Sequence, residues 1–196
     1  MINIIGGIIG TSGYDIHTRE LSNALNRITK VRLSTQIQPG QEMQLNDSEL
    51  EMIKRSPEDD EINLIITNPT LWRMHLTKER NWVFLIWEGD RIPKYLENEC
   101  LNPKIEKIFV ASWHTVQAIK NCTDAKFILE KIVVMSHGVD LTKFYPKDKP
   151  KKLTFLVNKG FRNILDRGGT QYAIKAFLEE FSKEDDVEMI VKINPA

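Results

Sequence analysis

The sequence predicts an α/β protein built on a Rossmann-like parallel sheet with helices on both faces. Six short apolar runs follow one another up to residue 135, and most are continuously apolar rather than alternating. Strands buried on both faces read that way, and such strands belong to parallel sheets. Segments with helical periodicity or helix-capping residues lie between the runs, so strand and helix alternate. That alternation implies right-handed βαβ units.

The elements follow in order. Residues 2–9 form the first strand. Leu21, Leu25 and Ile28 then recur on one helical face, with Arg19, Glu20 and Asn26 elsewhere on the helix. Residues 31–37 supply the second strand. Asn46, with Glu49 three positions on, predicts a capping box for a short helix through Ile53. Residues 62–67 and 82–87 are further strands, separated by a short helix that Pro69 starts. Residues 105–111 and 132–135 complete the sheet, with a helix over about residues 112–121 between them. The Pro- and Lys-rich stretch 146–152 reads as a linker. Beyond it come a strand over 153–157, a helix with Ala173, Ile174, Phe177 and Phe181 on one face, and a strand over 187–193. The expected organisation is a domain over 1–145, a linker over 146–152, and the incomplete start of a second domain over 153–196. A lone βαβ unit has little core of its own. Its apolar helix face and bare edge strand therefore predict docking or homodimerisation through this segment.

Composition narrows the function. Hydrophobic residues make up 41% and charged residues 28%, the balance of an ordinary soluble domain. Formal net charge is zero, whereas a non-specific nucleic-acid binder carries a basic excess, so no nucleic-acid partner is expected. The apolar opening has no basic leader and soon meets glycines and polar residues, which marks a buried strand rather than a signal or a membrane span. Peripheral contact of a surface helix with a membrane stays open. Cys100 and Cys122 are expected as reduced, buried thiols of a cytoplasmic protein. His17, His75, His114 and His137 have no metal-ligand spacing, so no metal site is expected.

Several segments carry candidate chemistry. Residues 6–21 (GGIIGTSGYDIHTREL) sit where the first strand turns into the first helix. Ligands of open α/β sheets gather beside such turns. Gly10 and Gly13 permit close backbone approach and positive φ. Thr11 and Ser12 can cap the helix, whose free N–H groups suit an anion or a polar sugar, and His17 lies one turn in. The alternative is a tight turn with glycines for packing only. The spacing is neither G-x-G-x-x-G nor a P-loop, and no acidic residue ends the second strand, so NAD binding by an oxidoreductase is weakly supported. Residues 82–93 (WVFLIWEGDRIP) end a buried strand in Trp87, Glu88 and Asp90. Carboxylates there can position hydroxyls or take a proton, or Glu88 can simply cap the next turn. Ser112 is the expected N-cap of the next helix, with His114 in its first turn. Residues 133–146 (VVMSHGVDLTKFYP) end a strand in a polar turn with His137, Gly138 and Asp140. Residues 155–177 hold Lys159, Arg162 and Arg167 in a basic loop, which from the residues alone reads as solvated.

Taken together these segments resemble the retaining nucleotide-sugar glycosyltransferases of GT-B fold (glycosyl transferases group 1, family 4 type). The family reads N/H-G-V-D, three residues, F-x-P at its interdomain hinge, as residues 137–146 do. Its glycine-rich N-terminus, a W-E-x-x-x-I/L-P strand end and a v-x-S turn match residues 6–21, 87–93 and 110–119. The donor-domain opening F-x-G…R-K-G matches residues 155–177, with Gly168 standing where the family has lysine. Trp87 and Glu88 stand where many members have a histidine. The resemblance implies sugar transfer from a nucleotide-diphosphate donor to a sugar, lipid or protein acceptor, with retention and with neither cofactor nor essential metal. It implies acceptor binding by Gly10, Thr11, Ser12, Gly13, His17, Asp90 and His114, and a catalytic role for Glu88. Lys159, Arg162 and Arg167 would meet the donor diphosphate, and His137, Gly138 and Asp140 would form the hinge. The base and ribose contacts, including paired glutamates, are expected beyond Ala196. The competing expectation is a non-catalytic Rossmann-like binding module or complementing subunit.

Overall fold

The six apolar runs become a single parallel sheet in the computed structural model, which describes residues 1–158 and 168–192. The strands are β1 (Ile2–Ile5), β2 (Val31–Ser34), β3 (Ile62–Ile65), β4 (Asn81–Leu85), β5 (Ile105–Val110) and β6 (Ile132–Val134). Their spatial order is β2-β1-β3-β4-β5-β6, and every neighbouring pair is parallel. The α/β, Rossmann-like class predicted from the sequence is the class found. The strands are shorter than the apolar runs, because several runs continue past the ladder as buried loop. Ile8 and Ile66 are both buried yet lie outside any strand.

Helices cover both faces. Helix α1 (Gly13–Leu25) starts at Ser12, whose hydroxyl accepts from the Asp15 amide, and α2 (Asp47–Lys54) starts at Asn46. The Asn46–Glu49 capping box forms with both of its bonds, Glu49 N to Asn46 Oδ1 at 2.9 Å and Asn46 N to Glu49 Oε2 at 3.0 Å. The same buried Glu49 accepts a bidentate pair from Arg19 at 2.7 and 3.0 Å, which clasps α2 to α1. Pro69 opens a 3₁₀ turn that runs into the short α3 (Trp72–His75). Helices α4 (Lys94–Cys100), α5 (Trp113–Lys120) and α6 (Ala125–Leu129) follow, with Ser112 capping α5 as expected. The expected apolar face of α1 needs one correction. The helix ends at Leu25 with Asn26 as its cap, so Ile28 falls past the end and is 82% exposed. Leu21 and Leu25 pack on the core while the fully buried contacts of α1 are the small polar residues Thr18 and Ser22.

Two apolar layers sandwich the sheet. Ile4, Leu33, Leu64 and Phe84 face one side, with Met52 of α2 and Tyr14, Leu21 and Leu25 of α1. Ile5, Ile65, Val83, Leu85 and Val110 face the other, with Trp72, Leu96, Cys100, Ile119 and Ile128 from α3 to α6. Set among the second group is a polar row. Asn3, Asn63 and Asn81 are in register on β1, β3 and β4 and are all buried. Asn3 Nδ2 donates to Asn63 Oδ1 at 2.9 Å, and Asn63 Nδ2 donates to Asn81 Oδ1 at 3.1 Å. Ser34 of β2 extends the row by donating to Asn3 Oδ1 at 2.8 Å. Beside it, buried Glu61 accepts from Arg32 at 2.6 Å and pairs with Lys78 at 3.3 Å.

The chain divides into two compact units, Met1–Gly138 and Val139–Ala196. The second contains β7 (Leu153–Val157), α7 (Thr170–Glu180) and β8 (Val187–Val191), a βαβ unit with parallel strands. Phe155 gathers Phe177 and Phe181 at ring distances of 5.6 and 5.5 Å, so the helix face expected from the sequence is the one that packs. Among the described residues no helix is long and apolar enough to cross a membrane.

The asparagine row yields the first prediction. Asn63→Leu leaves the carboxamides of Asn3 and Asn81 buried without one partner each, and should lower stability to urea by about 2–4 kcal/mol. An unchanged urea midpoint would show that the row is dispensable.

Candidate functional site

Strand order reverses at β1, which has β2 on one side and β3 on the other. The crevice at the carboxyl ends of such strands is where ligands of open α/β sheets bind. The loop from Gly6 to Ser12 leaves β1 at this point and enters α1. Its first glycine is a packing necessity. A Cβ at Gly6 would lie 2.6 Å from the Ile66 carbonyl oxygen and 2.7 Å from Thr18 Oγ1. Gly7 and Gly10 face one carboxylate, and a Cβ at either would push the Asp15 side chain aside. The Ser12 hydroxyl also hydrogen-bonds Asp15 Oδ2. The helix terminus expected to offer its N–H groups to a ligand thus already has its own carboxylate in the first turn. Gly13 differs from the expectation. It begins the helix with open space around its Cβ position and no positive φ, so neither a neighbouring group of the described residues nor backbone conformation requires glycine there. Gly10 likewise has no positive φ, and its constraint is the contact with Asp15. Thr11 is exposed on the loop.

One turn into α1, His17 meets residues from distant parts of the chain. Its ring packs edge-on to Phe84 of β4 with centroids 4.3 Å apart, and lies 4.4 Å from the ring of His137, beyond β6. His137 is 5.6 Å from Phe84, which closes the triangle. His17 Nδ1 is buried and has no hydrogen-bond partner among the described residues. Burial, and secondly the neighbouring His137, push the His17 imidazole down to about 4. His17 is therefore neutral near pH 7. On the same helix, burial and then the charge of Glu88 raise the Tyr14 hydroxyl above its usual value. Tyr14 and Glu88 are thus electrostatic neighbours, and the end of β4 belongs to the same corner.

The W-E-G-D segment is held from α5. His114 Nε2 lies 3.2 Å from the Glu88 carbonyl oxygen, and Thr115 Oγ1 reaches the Trp87 carbonyl at 3.5 Å. Asn121 Nδ2 donates to the Asp90 carbonyl at 2.8 Å, and Trp87 Nε1 donates to the Arg91 carbonyl at 3.0 Å. His114 and Asp90 enter the arrangement through these backbone contacts, which fix the turn that carries Glu88. Ser112 caps α5. Gly138 closes the first unit and Asp140 opens the second, where its carboxylate accepts from the Thr142 amide at 2.9 Å and from its hydroxyl at 2.6 Å. Lys159, Arg162 and Arg167 lie outside the described residues. The two thiols are free and buried, and burial pushes the Cys100 thiol up to about 12, which disqualifies it as a nucleophile near neutral pH. Among the described residues no group of three or more His, Cys, Asp or Glu is placed to hold a metal ion.

Tyr14, Asp15 and Phe84 were not legible as site residues from sequence. Asp15 carried a signal, a Ser-x-x-Asp spacing at a helix start. Phe84 carried none, because a phenylalanine in an apolar strand reads as core. A comparison with protein-family models finds no match, and a comparison with curated proteins finds none either.

Two predictions follow from this geometry. Gly6→Ala should cost about 1–3 kcal/mol through overpacking, whereas Gly13→Ala should be neutral or stabilise by about 0.4–1 kcal/mol. Thermal unfolding of the two variants decides between them, and equal losses would contradict the loop geometry. His17 sits below its unfolded value of about 6.5, so the native state binds fewer protons there. Its contribution is complete above about pH 6.5 and is lost as pH falls towards 4. His17→Phe keeps a ring against Phe84 and should flatten stability over that window relative to the unmodified chain. Parallel pH curves would show that His17 titrates normally.

Proposed function

We propose that the chain is the acceptor-side part of a retaining glycosyltransferase that uses a nucleotide-diphosphate sugar. The observation that carries this reading is the meeting of His17 with His137 at 4.4 Å. The two come from the glycine-rich N-terminus and from the H-G-V-D segment, the separate stretches on which the resemblance rests. They converge beside the strand end that carries Glu88, at the reversal point where a ligand is expected.

In this reading the acceptor hydroxyl attacks the anomeric carbon of the donor sugar. The bond from that carbon to the diphosphate oxygen breaks, and the proton of the hydroxyl leaves with the diphosphate. Glu88 accepts a hydrogen bond from the acceptor and orients its hydroxyl, with Tyr14 beside it. His17 has too low a proton affinity to serve as a strong base near pH 7. It remains a neutral acceptor or donor of a hydrogen bond, and its Nδ1, without a partner among the described residues, is the atom available for that task. His114 is a positioning residue acting through the Glu88 carbonyl. The donor-side assignment of Lys159, Arg162 and Arg167 rests on the sequence motif alone. A binding module without transfer activity is the second reading.

The acceptor-side part alone is expected to be inactive, so the test is transfer from a panel of radiolabelled UDP- and GDP-sugars by the protein that carries it together with its donor-side part, with the product's anomeric configuration read by NMR. Glu88→Gln should lower kcat by about 10–100-fold, the loss of one charged hydrogen bond to the acceptor, with little change in melting temperature. Undiminished turnover by Glu88→Gln would remove Glu88 from the mechanism. Binding of glycan without any transfer would favour the module.

A further inference from the structure

Beside the glycine loop lies an open depression of about 670 Å³, and the polar side chains lining it are Asp15, Gln36, Gln38, Gln41 and Gln44. Gly40, at φ 87°, makes the turn that brings the later glutamines round. Gln41 Oε1 accepts from the Gln38 amide at 2.9 Å, which orients that carboxamide. Ile9 and Ile37 supply apolar lining. Among the lining residues Asp15 alone is charged. Its carboxylate is held by Ser12 and lies against Gly7 and Gly10. Arg19, the nearby cation, is committed to Glu49 at 2.7 and 3.0 Å and to the Gln44 carbonyl at 3.0 Å.

This lining selects a chemical class. A carboxamide offers both donors and an acceptor, while a carboxylate only accepts. A polyhydroxylated ligand satisfies both kinds of group, because each hydroxyl both donates and accepts. An anion would meet the Asp15 charge with no lining cation to offset it, and like charges close together are costly. The apolar lining suits the C–H face of a pyranose ring. We infer that this depression binds a neutral pyranose sugar and rejects sugar acids and sugar phosphates. The word acceptor for that sugar rests on the function proposed above, whereas the binding itself rests on the lining alone.

The experiment titrates the full ¹⁵N-labelled chain with methyl glucoside, methyl mannoside and methyl galactoside, using glucuronate as the acidic control. At least one neutral glycoside should shift the backbone amides of Gly7, Ile8 and Gly10 and the side-chain amides of Gln36 and Gln44. Glucuronate should bind at least about tenfold more weakly. The double variant Gln36→Ala/Gln44→Ala changes two exposed side chains and should lose the shifts while keeping its overall spectrum. Asp15→Asn should narrow the gap between glucuronate and the neutral sugars. The inference is overturned if no glycoside shifts these amides, if glucuronate binds as well as the best of them, or if the double variant binds undiminished. Sugar binding without nucleotide-sugar turnover, even when the donor-side part is present, would reject the transferase and leave the sugar site standing. Turnover with a preferred acidic acceptor would do the reverse.

Discussion

Three buried carboxamides, those of Asn3, Asn63 and Asn81, run across the middle of the sheet and tie β1, β3 and β4 together sideways. A parallel sheet of continuously apolar strands has little in its side chains to specify register, since one Ile, Leu or Val meets its neighbour much as another does. An asparagine buried without its partner costs far more than a misplaced leucine. Only one register pairs all three, so the row selects it. Asn63 carries the greatest load, because its amide also reaches the His75 carbonyl and Thr77 Oγ1, both at 3.1 Å. Slipping β3 would break strand pairing and the packing of α3 together.

The row lies near the amino ends of the strands, alongside the Glu61 cluster with Arg32 and Lys78. Register is therefore secured at one edge of the sheet by polar contacts that carry no ligand chemistry. The opposite, carboxyl edge is left for loops of irregular shape. There Gly6 lets the end of β1 approach Ile66 and α1, and Gly7 and Gly10 make room for Asp15. Gly6 is demanded by the backbone that stands next to it, whereas at Gly7 and Gly10 the space is taken by the Asp15 side chain. Gly40, with its positive φ, is demanded by its turn. Both demands serve one outcome, a polar depression between two loops that follow β1 and β2.

Electrostatics at this edge also follow from packing. The His17 ring is wedged between Phe84 and His137, which desolvates it, and among the described residues nothing hydrogen-bonds its Nδ1. Tyr14, one turn earlier, feels Glu88 as well as burial, and its hydroxyl stays protonated. The corner thus offers a neutral imidazole, a neutral phenol and a carboxylate within reach of one another's fields. That set suits the orientation of hydroxyl groups better than the abstraction of a proton by a strong base.

By itself the sequence determined the alternation of strand and helix, the parallel sheet, the starts of α1, α2 and α5, and the packed face of α7. Those features are local, fixed by apolar runs, by Ser12, Asn46 and Ser112 as caps, and by side-chain periodicity. Sequence also singled out His17, Glu88 and His137, because polar residues at the ends of apolar strands and in the first turns of helices stand out from the pattern. It misjudged Gly13, since a glycine's neighbours are not local and its need cannot be judged without them. It passed over Asn3, Asn63 and Asn81, each of which looks like an interruption in its own strand until the register sets the three side by side. Only the tertiary structure could pair His17 with His137 or bring Glu88 near Tyr14. Those pairs are separated by most of the sheet's length in sequence, and their distances depend on strand order, which no local pattern encodes.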